Sequence, residues 1–196
     1  MKIINNKEEA IKELKRISNR TNSENNKKIN TIVEEILHEV KTYGDLAVEK
    51  FTKKFDGFNP DPMQVSQNDL RDAWSEIDNN LKQSLEVAYK RIKKFHEKEI
   101  PLSFTLEGEH GDVVQRRWKP VKKAGIYVPG GRAAYPSTVL MNAIPAKVAG
   151  VEEIIMVSPG NKEGRINKAV LAAAHLSGIN KVFRIGGAQA IGALAF

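Results

Sequence analysis

The 196-residue sequence predicts an α/β protein, a helical N-terminal segment followed by a parallel β-α-β layer. Three observations predict it. Over residues 1–100, apolar residues recur at helical spacing in a charged background. From residue 121 onward the composition shifts to Gly, Ala, Val and Ile. In that second region short apolar runs alternate with helical stretches, and a β-α-β-α-β-α order implies a parallel sheet with right-handed crossovers. The chain therefore divides near residue 120, into a mainly helical 1–120 with one hairpin and the layer at 121–196.

The elements follow in order. Ile29, Ile32, Val33, Ile36, Leu37 and Val40 form one helical stripe, which Gly44 can end in a left-handed turn. Asp45 is placed to cap the next helix, with Leu46, Val48, Phe51 and Phe55 as its apolar face. Gly57, Pro60 and Pro62 then mark a loop. Ser66 with Asp69 three residues on reads as a capped helix start, carrying Leu70, Ala73, Trp74 and Ile77 on one side. A longer stripe runs from Leu81 through Leu85, Ala88, Tyr89 and Ile92 to Phe95, with Pro101 closing it. Phe104–Leu106 and Val113–Val114 flank a Gly-rich turn and predict a β-hairpin.

In the second region, 124–128, 154–157 and 182–185 read as strands. Ser137 is placed to cap a helix reaching Ala149, in which Pro145 should introduce a kink or a restart. Residues 166–176 and 188–196 read as the next two helices. The last of these ends the sequence on Ala193-Leu194-Ala195-Phe196, apolar and without a cap, so the layer is expected to be incomplete. An incomplete sheet would expose an edge strand and an apolar face.

Composition narrows the function. No apolar run reaches the roughly 20 residues of a membrane helix, and the charged N-terminus is unlike a signal peptide. There is no cysteine, hence no disulfide framework or thiolate metal site. A cytoplasmic location is expected. The net charge of +7 suggests a nucleic-acid partner, but its distribution argues otherwise. Residues 1–120 are nearly balanced, with 22 Lys and Arg against 21 Asp and Glu, whereas 121–196 hold nine against three. That excess, without basic runs or interleaved aromatics, fits a groove for a small anionic cofactor and equally a mildly basic surface.

Ligands of open parallel sheets bind beyond the carboxyl ends of the strands. Two glycine turns fall there. One is Tyr127-Val128-Pro129-Gly130-Gly131 and the other Gly186-Gly187-Ala188-Gln189-Ala190. Paired glycines admit a close ligand, and a helix starting at such a turn offers N–H groups to phosphate. Neither turn has the G-x-G-x-x-G or P-loop spacing, and double glycine also serves plain tight turns. Tyr127 suits stacking on a base or packing at a strand end. Gln189 suits a ligand hydrogen bond or a water. His38, His96, His110 and His175 form no metal-ligand spacing, and His38 and His96 read as surface groups.

Longer blocks carry a resemblance. Gly125–Gly131, Tyr135–Met141, Ile144–Val151 and Gly186–Phe196 lie in an order that resembles histidinol dehydrogenase, and Gly44-Asp45, Phe51-Thr52 and Phe55-Asp56-Gly57 resemble its N-terminal pattern. The resemblance implies a Rossmann-like, aldehyde-dehydrogenase/histidinol-dehydrogenase-like layer. It implies oxidation of L-histidinol to L-histidine through the aldehyde with two NAD, in a zinc-dependent homodimer, with no nucleic acid or membrane partner. Tyr127 and Gln189 match the family's NAD-contacting tyrosine and glutamine, and Gly130, Gly131, Gly186 and Gly187 accompany them as cofactor-binding candidates. The family's zinc ligands and acid/base pair are expected outside these residues. No catalytic or metal-binding residue is therefore assigned, and the chain alone is expected to be inactive. A non-catalytic associating module and another oxidoreductase of related fold are the competing readings.

Overall fold

The computed structural model describes residues 3–18, 24–130 and 134–196. Eight helices and five strands are seen among them, in the order α1 (Lys7–Ser18), α2 (Glu24–Tyr43), α3 (Asp45–Phe55), α4 (Gln67–Glu76), α5 (Asn79–His96), β1 (Phe104–Glu107), β2 (Val113–Arg116), β3 (Lys123–Tyr127), α6 (Pro136–Val148), β4 (Glu153–Val157), α7 (Lys168–Leu176), β5 (Lys181–Phe183) and α8 (Gly187–Ala195). The α/β class, the hairpin and the parallel layer are as the sequence predicts.

Strands β3, β4 and β5 are parallel and adjacent in chain order. Their registers align Ile126, Met156 and Val182 in one row and Tyr127, Val157 and Phe183 in the next. Successive strand residues face opposite sides, so the two rows feed two cores. Ile126, Met156 and Val182 pack with residues of α4, α5, α6 and α7. Tyr127, Val157 and Phe183 pack with residues of α2, α3 and α8. Helices thus cover both faces, as a parallel sheet requires. Each core mixes residues from either side of position 120, so the compositional boundary does not separate two cores.

The far edge of β5 is covered. The N–H of Val65 donates to the Val182 carbonyl at 2.8 Å and the N–H of Arg184 donates to Met63 at 2.9 Å. Residues 63–65, read from the sequence as the end of a loop, thus run antiparallel beside β5. The expected exposed edge and apolar face are not found there, because N-terminal residues pair with the strand and α2 and α3 pack on α8.

Local chemistry explains most boundaries. Ser66 and Asp69 form a reciprocal capping box at α4. Gly44 has φ 57° and is itself the residue before α3, so Asp45 lies in the first turn and does not cap it. Ser137 does not cap α6 either. Pro136 takes the first helical position, where its missing N–H costs no hydrogen bond, and Tyr135 precedes it. Pro145 neither stops nor restarts α6, which runs on to Val148. Helix α5 ends at His96, before Pro101 acts.

The predicted stripes are only half buried. Val48 and Phe51 are core residues, whereas Leu46 is 73% and Phe55 51% exposed. Ile29, Ile32 and Phe95 are also exposed. No helix among the described residues is long and apolar enough to cross a membrane.

Candidate functional site

The carboxyl ends of β3, β4 and β5 share one edge, and each runs into a Gly- or Pro-containing turn. After β3, Val128 is fully buried and its N–H donates to Val157 at 2.9 Å. After β4, the buried Ser158 donates its N–H to Phe183 at 3.0 Å. The three turns are thereby held side by side.

Pro159 is wedged between the two turns picked out in the sequence. A Cβ built on Gly130 would meet its ring at 2.6 Å, and one on Gly186 would meet it at the same distance. Both positions need glycine because backbone and ring approach more closely than a side chain permits. Gly187 needs it twice over, having φ 65° and a position where a Cβ would lie 2.6 Å from the Gln189 Oε1. Gly131 lies outside the described residues.

Tyr127 and Gln189 meet around that same residue. The N–H of Gly187 donates to the Tyr127 Oη at 3.0 Å, joining the end of β3 to the start of α8. Gln189 sits in the first turn of α8 with 1% of its surface exposed. Neither its Oε1 nor its Nε2 has a hydrogen-bond partner. Burying an amide unpaired is costly, and native structures keep such groups where a ligand or a function uses them.

Beside Gly130 opens a cleft of about 630 Å³, lined by Pro159, Lys162, Arg165, Asn167 and Lys168 among others. Asn161 builds its wall. Its Oδ1 accepts from the N–H groups of Glu163 and Arg165 at 3.1 and 2.8 Å, closing the 161–165 loop. Arg184 braces this side through its Nε bond to the Pro62 carbonyl at 2.7 Å. Helix α7 opens onto the cleft, capped by Asn167 accepting from Ala169 at 2.9 Å. A helix N-terminus and three cations give the cleft a positive field suited to phosphate. Lys168 is paired with Glu76, and Arg165 stands 4.0 Å from Glu163.

The sequence reading missed this third turn. Its signal was present, since Ser158-Pro159-Gly160 punctuates a strand and a helix as the other two turns do. The histidines stand apart from this edge. His175 stacks on Trp74, and His96 pairs with Glu99 at 2.5 Å, a local partner three residues on.

An open parallel sheet covered on both faces, with tight glycine turns and a cationic cleft at its carboxyl edge, defines an α/β protein of the ligand-binding kind. The comparisons narrow the class. The family model described as histidinol dehydrogenase matches residues 19–196. A histidinol dehydrogenase of Prochlorococcus marinus strain MIT 9312 is 85% identical over the whole chain, which covers 44% of that relative. One from Aquifex aeolicus is 53% identical over 84% of the chain and 38% of the relative. The crystal structure of histidinol dehydrogenase from Elizabethkingia anophelis superposes with a TM-score of 0.81 and 36% identity, over 86% of this chain and 39% of that one. The chain belongs to the histidinol dehydrogenase family, oxidoreductases of histidine biosynthesis, and spans less than half the length of the curated relatives it matches.

Proposed function

We propose that this chain forms the cofactor-holding part of an NAD-dependent histidinol dehydrogenase, which oxidises L-histidinol through L-histidinal to L-histidine. The observation that carries the reading is the buried, unpaired carboxamide of Gln189 beside the Tyr127–Gly187 hydrogen bond. Residues matched to the family's cofactor contacts thus come together across 60 residues of sequence.

The residues present fit NAD. Gly130, Gly186 and Gly187 keep Cβ atoms away from the turns, and Gly131 continues the first of them. Tyr127 occupies the Gly187 N–H, which leaves the first-turn amides of Ala188 and Gln189 without a helical acceptor. Lys162 and Arg165 supply positive charge for a pyrophosphate. Gln189 offers one donor and one acceptor for an amide or hydroxyl of the cofactor. NAD, when bound, supplies the hydride acceptor, and these residues bind and orient it. The zinc and acid/base groups that the family resemblance implies are assigned to no residue of this chain. A homodimer working in the cytoplasm completes the reading.

Calorimetric titration tests the cofactor assignment. NAD should bind the wild-type protein and bind more weakly to Gln189→Met and Tyr127→Phe. Equal affinity in all three would remove both residues from the site. Histidinol-dependent NADH formation by the full-length gene product, supplied with zinc, tests the reaction, and no turnover there would sink it. Residues 1–196 alone are expected to turn over no histidinol.

A further inference from the structure

The hairpin of β1 and β2 is exposed along both strands. Two strands alone are marginal in water, so a partner surface is expected. Register places Phe104, Leu106, Val114 and Arg116 on one face and Thr105, Glu107, Val113 and Gln115 on the other. The first face is the more apolar, yet Leu106 and Val114 are each 61% exposed.

The free edge has a definite parity. The N–H of Gly108 donates to the Asp112 carbonyl at 2.7 Å, which fixes Asp112, Val114 and Arg116 as the residues whose backbone groups turn inward to β1. Val113 and Gln115 therefore turn theirs outward. An incoming antiparallel copy of β2 satisfies them only in registers that put Val113, Val114 or Gln115 on the two-fold axis. With Val113 on the axis, Asp112 would face an apolar Val114. With Gln115 there, Arg116 would face it. With Val114 on the axis, Leu106 and Val114 of both copies form one continuous apolar row, and each Arg116 stands opposite an Asp112. The free edge of β1 has no register with such an ion pair, because Glu107 there meets Thr105 or Ser103.

We infer that two copies of this protein associate through β2, forming a four-stranded antiparallel sheet with Val114 on the two-fold axis. This inference rests on the homodimer half of the proposed function and is independent of the NAD assignment. Isologous pairing of this sort needs one self-complementary patch, which β2 supplies.

Cysteine scanning tests it cleanly, since the sequence contains no cysteine. Residues facing each other outside the hydrogen-bonded rings lie about 4.5 Å apart at Cα, within disulfide reach. Val114→Cys should give a disulfide-linked dimer under mild oxidation, whereas Val113→Cys and Gln115→Cys should stay largely unlinked. Sedimentation should show a dimer for the wild type, a monomer for Arg116→Asp, and a dimer again for Arg116→Asp combined with Asp112→Arg. Preferential linking at position 113 or 115 would overturn the register. A wild-type monomer whose Val113 and Gln115 amides are nevertheless protected from exchange would show that another segment or partner covers the edge, and would overturn the inference. A dimer untouched by Arg116→Asp and not linked through Val114→Cys would do the same, leaving the cofactor titration unaffected.

Discussion

Replacing Gln189 by methionine should make the protein more stable and a poorer NAD binder. The carboxamide is 1% exposed and neither of its polar atoms is paired. A buried unsatisfied polar group costs about 1–3 kcal/mol. Methionine has similar volume and flexibility, and a volume-conserving core exchange costs less than about 1.5 kcal/mol. The difference favours the variant by about 1–2 kcal/mol. For a protein of this length each kcal/mol moves Tm by roughly 2–4 °C, so Tm should rise by roughly 2–8 °C without ligand. Differential scanning calorimetry with and without NAD is the assay. Ligand at a hundred times its Kd stabilises the wild type by about 2.7 kcal/mol, and most of that shift should vanish in the variant. A lower Tm in Gln189→Met without NAD would refute the reasoning, because the carboxamide would then be a satisfied structural group.

Other perturbations have defined signs. Tyr127→Phe removes the acceptor of the Gly187 N–H and should cost about 0.5–1.5 kcal/mol, read as a lower urea midpoint. Gly187→Ala forces a side chain to φ 65° and into Gln189 Oε1, so it should cost about 1–2 kcal/mol from the backbone alone and weaken NAD binding further. Burial raises the Asp56 carboxyl above its ordinary value, and its Oδ2 is unpaired. The folded state therefore prefers the protonated form, so Asp56→Asn should stabilise the protein at neutral pH, with the gain vanishing as pH falls below the ordinary carboxyl range. Glu153 behaves oppositely, since hydrogen bonds from Lys181 and then Lys123 hold it at about 2. Its contribution is present above the ordinary Glu range and is lost as pH falls toward 2, so Glu153→Gln should flatten the acid limb of a stability–pH curve, and less so in high salt.

The sequence by itself determined the order and type of the elements, because periodicity, caps and turn residues are local. The Ser66–Asp69 box, the left-handed Gly44 and the three parallel strands all follow from residues a few positions apart. It also located Tyr127 and the glycines at strand ends, where a ligand edge must be. Periodicity could state which residues share a face but not whether anything covers it. Val48 is therefore buried while Leu46 and Phe55 of the same predicted stripe face water. Tertiary structure alone decided the rest, since each remaining feature depends on contacts between distant segments. Residues 63–65 close the sheet because β5 offers unpaired backbone groups beside them. Pro159 separates Gly130 from Gly186, and Tyr127 reaches Gly187, because parallel pairing brings three strand ends to one edge. The unpaired burial of Gln189 is of the same kind, for a solvent-starved amide is a property of everything packed around it.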